Sequence, residues 1–164
     1  MSIQNISLNT SIILTGLSAG LFYAWSVSVI PGTQKIDDLA YLSSMQSINR
    51  AILNPAFFLI FFGSLIAIVI ATYFSYAVSK TSFLLLVIAT LTYLIGTIGV
   101  TLFGNVPLNN QLDVLHLGEL GAQKMAEFRQ NYELRWNRLH SIRMVFSVLS
   151  FIMALLALNF PAKN

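Results

Sequence analysis

Cysteine is absent from the 164 residues, which excludes disulfides, iron–sulfur clusters, thiolate metal sites and a thiol redox pair. Charge is scarce: Asp, Glu, Lys and Arg make up 9% of the chain, against about a quarter in soluble domains, and that shortage removes a soluble fold. Histidine is limited to His116 and His140, which gives poor support to a bis-histidine haem with both imidazoles facing inward. No charged residue and no histidine occurs in 57–78 or 82–103, so neither stretch offers an ion or proton path, which argues against an ion-coupled transporter. No Lys or Arg stands in the first five residues. The basic region of a secretory signal is therefore missing, and the apolar run behind it is expected to be a retained helix.

What the chain has is hydrophobicity, with 56% apolar residues and a mean hydropathy of +0.74. It falls into four runs, about 6–30, 57–78, 82–103 and 142–160. At 1.5 Å per residue the first three reach about 33 Å or more, enough for a hydrocarbon core near 30 Å, and the fourth spans by borrowing a turn from the residues before it. The expected fold is all-α, a four-helix transmembrane bundle forming one domain over 1–164. The net charge of +3 is scattered around apolar segments rather than gathered on a soluble face, which speaks against nucleic acid. Read as topology signals, Lys35, Arg50, Lys124, Arg129, Arg135, Arg138 and Arg143 mark the side of the two long loops, with Lys80 and Lys163 opposite. The loops are then expected in the cytoplasm, and the protein as a multi-pass component of the cell (inner) membrane.

Along the chain, Gly16, Gly20, Tyr23 and Val27 share one stripe of the first helix, and the Gly16-xxx-Gly20 spacing admits a close neighbour. Trp25 near the end of that run fits an interfacial belt better than a cavity wall. Pro31-Gly32 is expected to stop the helix. Leu39, Leu42, Met45, Ile48 and Ile52 then recur at three- and four-residue spacing, which predicts a short amphipathic helix over 37–51, capped by Asp37 or Asp38 and lying at the interface. Pro55 suits the first turn of the second span. Arg50 and Asn54 can share a face as a ligand contact, or serve a lipid phosphate and a helix end. A short link around Lys80 makes the second and third spans an antiparallel hairpin.

Where the third span is expected to end, at Phe103, the chain reads Gly104-Asn105-Val106-Pro107-Leu108-Asn109-Asn110-Gln111-Leu112-Asp113. Three asparagines here can satisfy backbone groups freed by Pro107 in a turn, or hold a ligand's oxygens, and sequence does not choose between these uses. Before the fourth span, Tyr132, Trp136, Leu139, His140 and Arg143 fall on one helical face. Two aromatics, an imidazole and a guanidinium at a membrane boundary suit a site, and equally suit interfacial anchoring. With no Pro or Gly from 122 to 158, a single helix is expected over about 117–158, its first half an extension outside the hydrocarbon.

Three blocks together, Met45 to Arg50 with Asn54-Pro55, Gly99-Val100-Thr101 with Asn105 to Asn110, and Arg135-Trp136 to Arg143, resemble the anthrone oxygenase family of small membrane proteins over nearly the whole chain. Asn-Val-Pro-Leu-Asn-Asn is the most specific element. The resemblance implies oxidation of an anthrone-like or polycyclic phenolic substrate by O2 without a conventional cofactor. It matches at Asn105, Asn109, Asn110 and Arg143 and departs at His140, where the family often has asparagine; with His140 added on its own chemistry, the expected catalytic residues are Asn105, Asn109, His140 and Arg143. On chemical grounds Trp136 and Tyr132 would stack on substrate, His140 or a water would accept a proton, and Asn110, Asn54 and Arg50 would complete the binding set. Expected partners are membrane lipid and a hydrophobic aromatic molecule, with a homo-oligomer compatible. The competing functions are a non-enzymatic membrane protein that binds lipid, ligand or another protein, and, with less support, a haem or quinone oxidoreductase.

Overall fold

The computed structural model describes residues 3–160, all of its regular structure being helical. Met1, Ser2 and the opposing charge Lys163 lie outside the described residues. Five helices follow one another: α1 (Ile3–Thr33), α2 (Asp38–Ala51), α3 (Pro55–Ser75), α4 (Lys80–Asp113) and α5 (Ala122–Ala157). All but α2 are long and apolar enough to cross a membrane. In the bundle α1 packs against α3 and α5, and α4 packs against the same two. Paired positions run in opposite directions: the Ser150 hydroxyl donates to the Ala89 carbonyl at 2.8 Å, and earlier on α5 the Trp136 carbonyl accepts from Asn105, later on α4. Short links therefore join antiparallel neighbours, and both long loops, with α2, cap one end of the bundle.

Two expected helix stops are corrected. Pro31 does not end α1, because the backbone widens just before it: residues 25–29 form a π segment in which the Ile30 N–H reaches back five residues to the Trp25 carbonyl. Pro107 likewise sits inside α4, after π segments over 92–99 and 101–105, where the Val106 N–H reaches the Thr101 carbonyl. A widened turn relieves the i−4 clash that makes proline a helix breaker. The third span thus runs ten residues past Phe103, and the Asn-rich block is helix rather than turn.

Of the expected glycine stripe on α1 only Gly16 admits a close neighbour, since a Cβ there would lie 3.1 Å from the Phe151 ring. Gly20, Tyr23 and Val27 face outward, and the inward positions are Ser7, Ser11, Thr15, Ser18 and Phe22. Their hydroxyls mostly turn back onto carbonyls of their own helix, so they act as small surfaces that let α3 and α5 approach. Ser18 instead joins Tyr93, whose buried hydroxyl also donates to the Phe61 carbonyl at 3.0 Å, tying three helices at one crossing. The outer surface carries Ile13, Leu17, Ile66, Ile95 and Phe103, as lipid contact requires.

Gly96 marks the closest approach of α4 to α5, since a Cβ there would overlap the Phe146 ring, whereas a Cβ on Gly20 meets nothing. Gly96→Ala should therefore cost about 1–3 kcal/mol through overpacking. Thermal unfolding in a neutral detergent checks this, with Gly20→Ala expected to match the parent.

The polar cap is built on α2 and the outer half of α5. Asp37 caps α2 by accepting from the Ala40 N–H at 2.9 Å, and Tyr41, Leu42 and Met45 are buried against Leu108, Leu112, Tyr132 and Trp136. One face of this helix is therefore closed onto protein, and Leu39, expected on its apolar face, is exposed. Gln46 donates to the Leu112 and Leu115 carbonyls at the end of α4. Burial, with Glu133 adding repulsion, raises the Tyr41 phenol above its ordinary value, so this wall of the cap stays neutral. The α5 helix is unbroken from Ala122, about 54 Å long by its 36 residues. Leu117–Glu119 is a separate 3-10 turn, which moves the start of the expected single helix five residues later.

Candidate functional site

Where the inner end of the cap meets the bundle, a cavity of about 180 Å³ is bounded by all five helices. From α1 come Phe22 and Trp25, from α2 Asn49 and Arg50, and from α3 Phe57. The α4 helix adds Thr101, Asn109, Asn110 and Asp113, and α5 adds Trp136, His140 and Arg143. The aromatic walls are ordered. Trp136 stacks on His140 at 5.2 Å between centroids and 6° between planes, and Trp25 lies 5.9 Å from Trp136. Both tryptophans of the chain therefore face one space.

A hydrogen-bonded chain fixes the cap side. The Asn49 amide donates to the Tyr132 hydroxyl at 3.2 Å, which donates to Asn109 Oδ1 at 3.2 Å, and Trp136 Nε1 donates to the same Oδ1 at 2.8 Å. Two donors on one oxygen fix the orientation of the Asn109 amide. Its Nδ2 has no acceptor among the described residues and remains available on the cavity wall.

On the bundle side the partners fix the tautomer of His140. Arg143 can only donate, and its Nη2 and Nε lie 3.0 and 3.3 Å from His140 Nδ1. The Phe22 carbonyl can only accept, and it lies 3.1 Å from Nε2, with Ser26 Oγ at 3.0 Å. The imidazole is therefore neutral with its proton on Nε2. Its one basic lone pair is already held by a guanidinium, so the geometry does not present His140 as a proton acceptor for a ligand. It holds Arg143 instead.

Arg143 itself is 8% exposed. Its guanidinium carbon lies 4.8 Å from the Phe22 ring centre and 5.1 Å from that of Trp136, and Nη1 reaches Thr101 Oγ1 only at 3.4 Å. The ion pairs among the described residues are Arg50–Asp113, Arg129–Asp38 and Arg129–Glu133. No carboxylate among the described residues pairs with Arg143.

The structure thus brings together Asn109, Asn110, Trp136, His140, Arg143 and Arg50 of the expected site, with Tyr132 immediately behind. Asn105 and Asn54 also fall outside the cavity lining. Asn105 is fully buried, donates to the Trp136 carbonyl at 3.2 Å and keeps an unpartnered Oδ1, so it braces α4 against α5 from behind the wall. Asn54 caps α3, accepting from the Phe57 N–H at 3.0 Å and donating to the Ala51 carbonyl at 2.9 Å. Arg50 sits at the mouth, paired with Asp113 at 2.6 Å and largely exposed, an arrangement worth at most about 1 kcal/mol.

Trp25 belongs to the wall rather than to an interfacial belt. Phe22, Ser26 and Asn49 were also outside the expected set, and their sequence signal was slight. Phe22 and Ser26 lie four apart on the inward face of α1, and Asn49 was one of several polar positions on α2.

A family model described as anthrone oxygenase matches residues 57–153, more than half of the chain. The chain belongs to the anthrone oxygenase family. The matched stretch holds the α4 and α5 walls of the cavity, including Asn109, Trp136, His140 and Arg143, and begins just beyond the Asn54-Pro55 block. Comparison with curated proteins and with solved structures gives no match.

Proposed function

We propose that this anthrone oxygenase family member binds a flat, hydrophobic phenolic ketone of the anthrone type in the aromatic cavity and oxidises it with O2, without a resident cofactor. The observation that supports this most is the pair of tryptophans and the parallel imidazole walling one space whose free polar donors include the Asn109 amide and the Arg143 guanidinium. Trp25 and Trp136 would contact the ring faces, and the ketone oxygen would accept from Arg143 and Asn109.

The chemistry needs little more. A methylene between two aryl rings and conjugated to a ketone is acidic, and loss of one proton to water at the cavity mouth gives an enolate. Arg143 would stabilise that oxygen as its charge grows. The enolate passes one electron to O2, the two radicals join through a new C–O bond, and protonation gives a hydroperoxide on the former methylene carbon. Loss of the second proton from that carbon, with cleavage of the O–O bond, leaves a quinone carbonyl and releases water. One O2 accepts four electrons, with one oxygen in the quinone and one in water.

Purified protein in neutral detergent, treated with a chelator and given a hydroxylated anthrone, should form the anthraquinone faster than buffer alone and consume one O2 per quinone. A rate equal to that of protein-free detergent overturns the enzymatic reading and leaves a ligand-binding membrane protein. The exposed Lys35, Arg50, Lys124, Arg135 and Arg138 at the cap support a cytoplasmic cap. A cysteine placed at position 80 should then be labelled from the outer face, and labelling from the cytoplasmic face alone reverses the orientation.

A further inference from the structure

We infer that the cavity selects the deprotonated, anionic form of its ligand, so that the substrate class is a flat aromatic phenolate, enolate or carboxylate rather than the neutral molecule. This rests on the cavity being a ligand site, and not on the oxidation proposed above.

The argument begins with an unbalanced charge. Arginine keeps its proton in proteins, and a buried cation is normally paired or well supplied with acceptors. Arg143 has neither. Its Nε and Nη2 share the single lone pair of His140 Nδ1, and its Nη1 has only the hydroxyl of Thr101 at 3.4 Å, the long limit of a hydrogen bond. Two of the five guanidinium N–H donors are left without an acceptor among the described residues.

The rings of Phe22 and Trp136 offset part of the burial cost through their faces, but they supply no hydrogen-bond acceptor. The carboxylate among the lining residues, Asp113, is held by Arg50. A neutral ketone would fill one N–H and leave the charge uncompensated. An anionic oxygen would fill the free fork and balance the charge in the same step, in surroundings where water competes poorly.

The neighbouring groups favour the same form. Asn109 Nδ2 adds a free donor on the cavity wall, and the lone pair of His140 Nδ1 is already taken by Arg143 while its Nε2 faces the Phe22 carbonyl, so the imidazole offers no acceptor to a phenol O–H.

Anthracene-9-carboxylate and anthracene-9-carboxamide test this directly, since they match in shape, differ in charge and lack the methylene that reacts. Both tryptophans line the cavity, so quenching of their emission, corrected for absorption by the probe, reports binding to the protein in neutral detergent. The wild type should bind the carboxylate at least about tenfold more tightly than the carboxamide, the worth of one charge-assisted hydrogen bond. In Arg143→Gln that ratio should fall to about one, after the same detergent partition for both proteins. Equal binding of the two probes by the wild type, or an unchanged ratio in the glutamine variant, overturns the inference. Should the glutamine variant fail to fold, Arg143→Lys reports in its place: carboxylate affinity should fall by about threefold or more while carboxamide affinity holds, because the planar fork is lost. Unchanged carboxylate affinity in that variant overturns the inference too. Quenching by neither compound removes the cavity as a ligand site altogether, a failure distinct from binding without turnover.

Discussion

Arg129→Ala should cost about 3 kcal/mol of stability, because it removes one partner from a mostly buried charge cluster. The Arg129 side chain is 12% exposed and pairs with Asp38 at 3.0 Å and Glu133 at 2.9 Å. Its Nη1 also donates to the Ile36 carbonyl at 2.7 Å, and the guanidinium lies 4.4 Å over the Tyr41 ring. One side chain therefore ties the end of α1, the loop and α2 to α5. Without it Glu133 stays enclosed with no cation, and backbone carbonyls after α1 lose their donor. Thermal unfolding in detergent should show the loss, and amide exchange should rise first over 34–41. Lysine should not restore the parent, since no ammonium reaches carboxylates and carbonyls in that fork geometry. Exposed Arg135→Ala should stay within about 0.5 kcal/mol of the parent.

Arg143 calls for the opposite result. It is more deeply buried than Arg129 and pairs with no carboxylate among the described residues, so Arg143→Met should leave thermal stability unchanged or raise it, as removal of a costly buried charge in favour of an apolar chain often does. Oxidation of a hydroxylated anthrone should nevertheless fall about a hundredfold in kcat/KM, the usual loss when a donor to a developing oxyanion is deleted. Arg143→Lys should insert and fold, and should fall between the two in activity, since charge survives without the planar fork. A loss of stability as large as that expected for Arg129→Ala would make Arg143 a structural residue. A stable methionine variant with undiminished oxidation would remove it from the mechanism.

The contrast between these two arginines shows what the sequence could and could not carry. Four spans, the amphipathic segment and the long last helix were legible because their lengths and apolar runs are properties of single segments. The residues on α5 were legible as a face because Tyr132, Trp136, His140 and Arg143 keep helical spacing. The inward side of α1 was not, for a physical reason: in a membrane the apolar surface faces outward, and the inward stripe of Ser7, Ser11, Thr15 and Ser18 inverts the usual pattern. Phe22 and Trp25 were lost with it, although they supply the wall opposite Trp136.

Pro31 and Pro107 were misread because proline stops a helix through its clash with the i−4 carbonyl, and no residue type announces the widened turns that remove that clash. The contact through which His140 holds Arg143 depends on its partners. Its spacing from Arg143 is visible in sequence, but the Phe22 carbonyl that takes its Nε2 proton lies 118 residues away. Asn105 and Asn109 look equivalent as an i, i+4 pair, yet one braces the wall from behind and the other faces the cavity. Only the path of α5 past them separates the two.

The position of a bound ligand tests the site most directly. Anthraquinone-2-carboxylate carries a ketone that, once photoexcited, abstracts hydrogen from whatever it touches, so it can be linked to the full-length protein in detergent and the modified peptides mapped by mass spectrometry. Labelling should concentrate on Phe22, Trp25, Ile48, Leu53 and Trp136 around the cavity, and an excess of anthracene-9-carboxylate should suppress it. Labelling confined to the lipid-facing groove of α4, at Leu94, Ile95, Leu102 and Phe103, and unaffected by the competitor, would contradict a ligand site at Arg143.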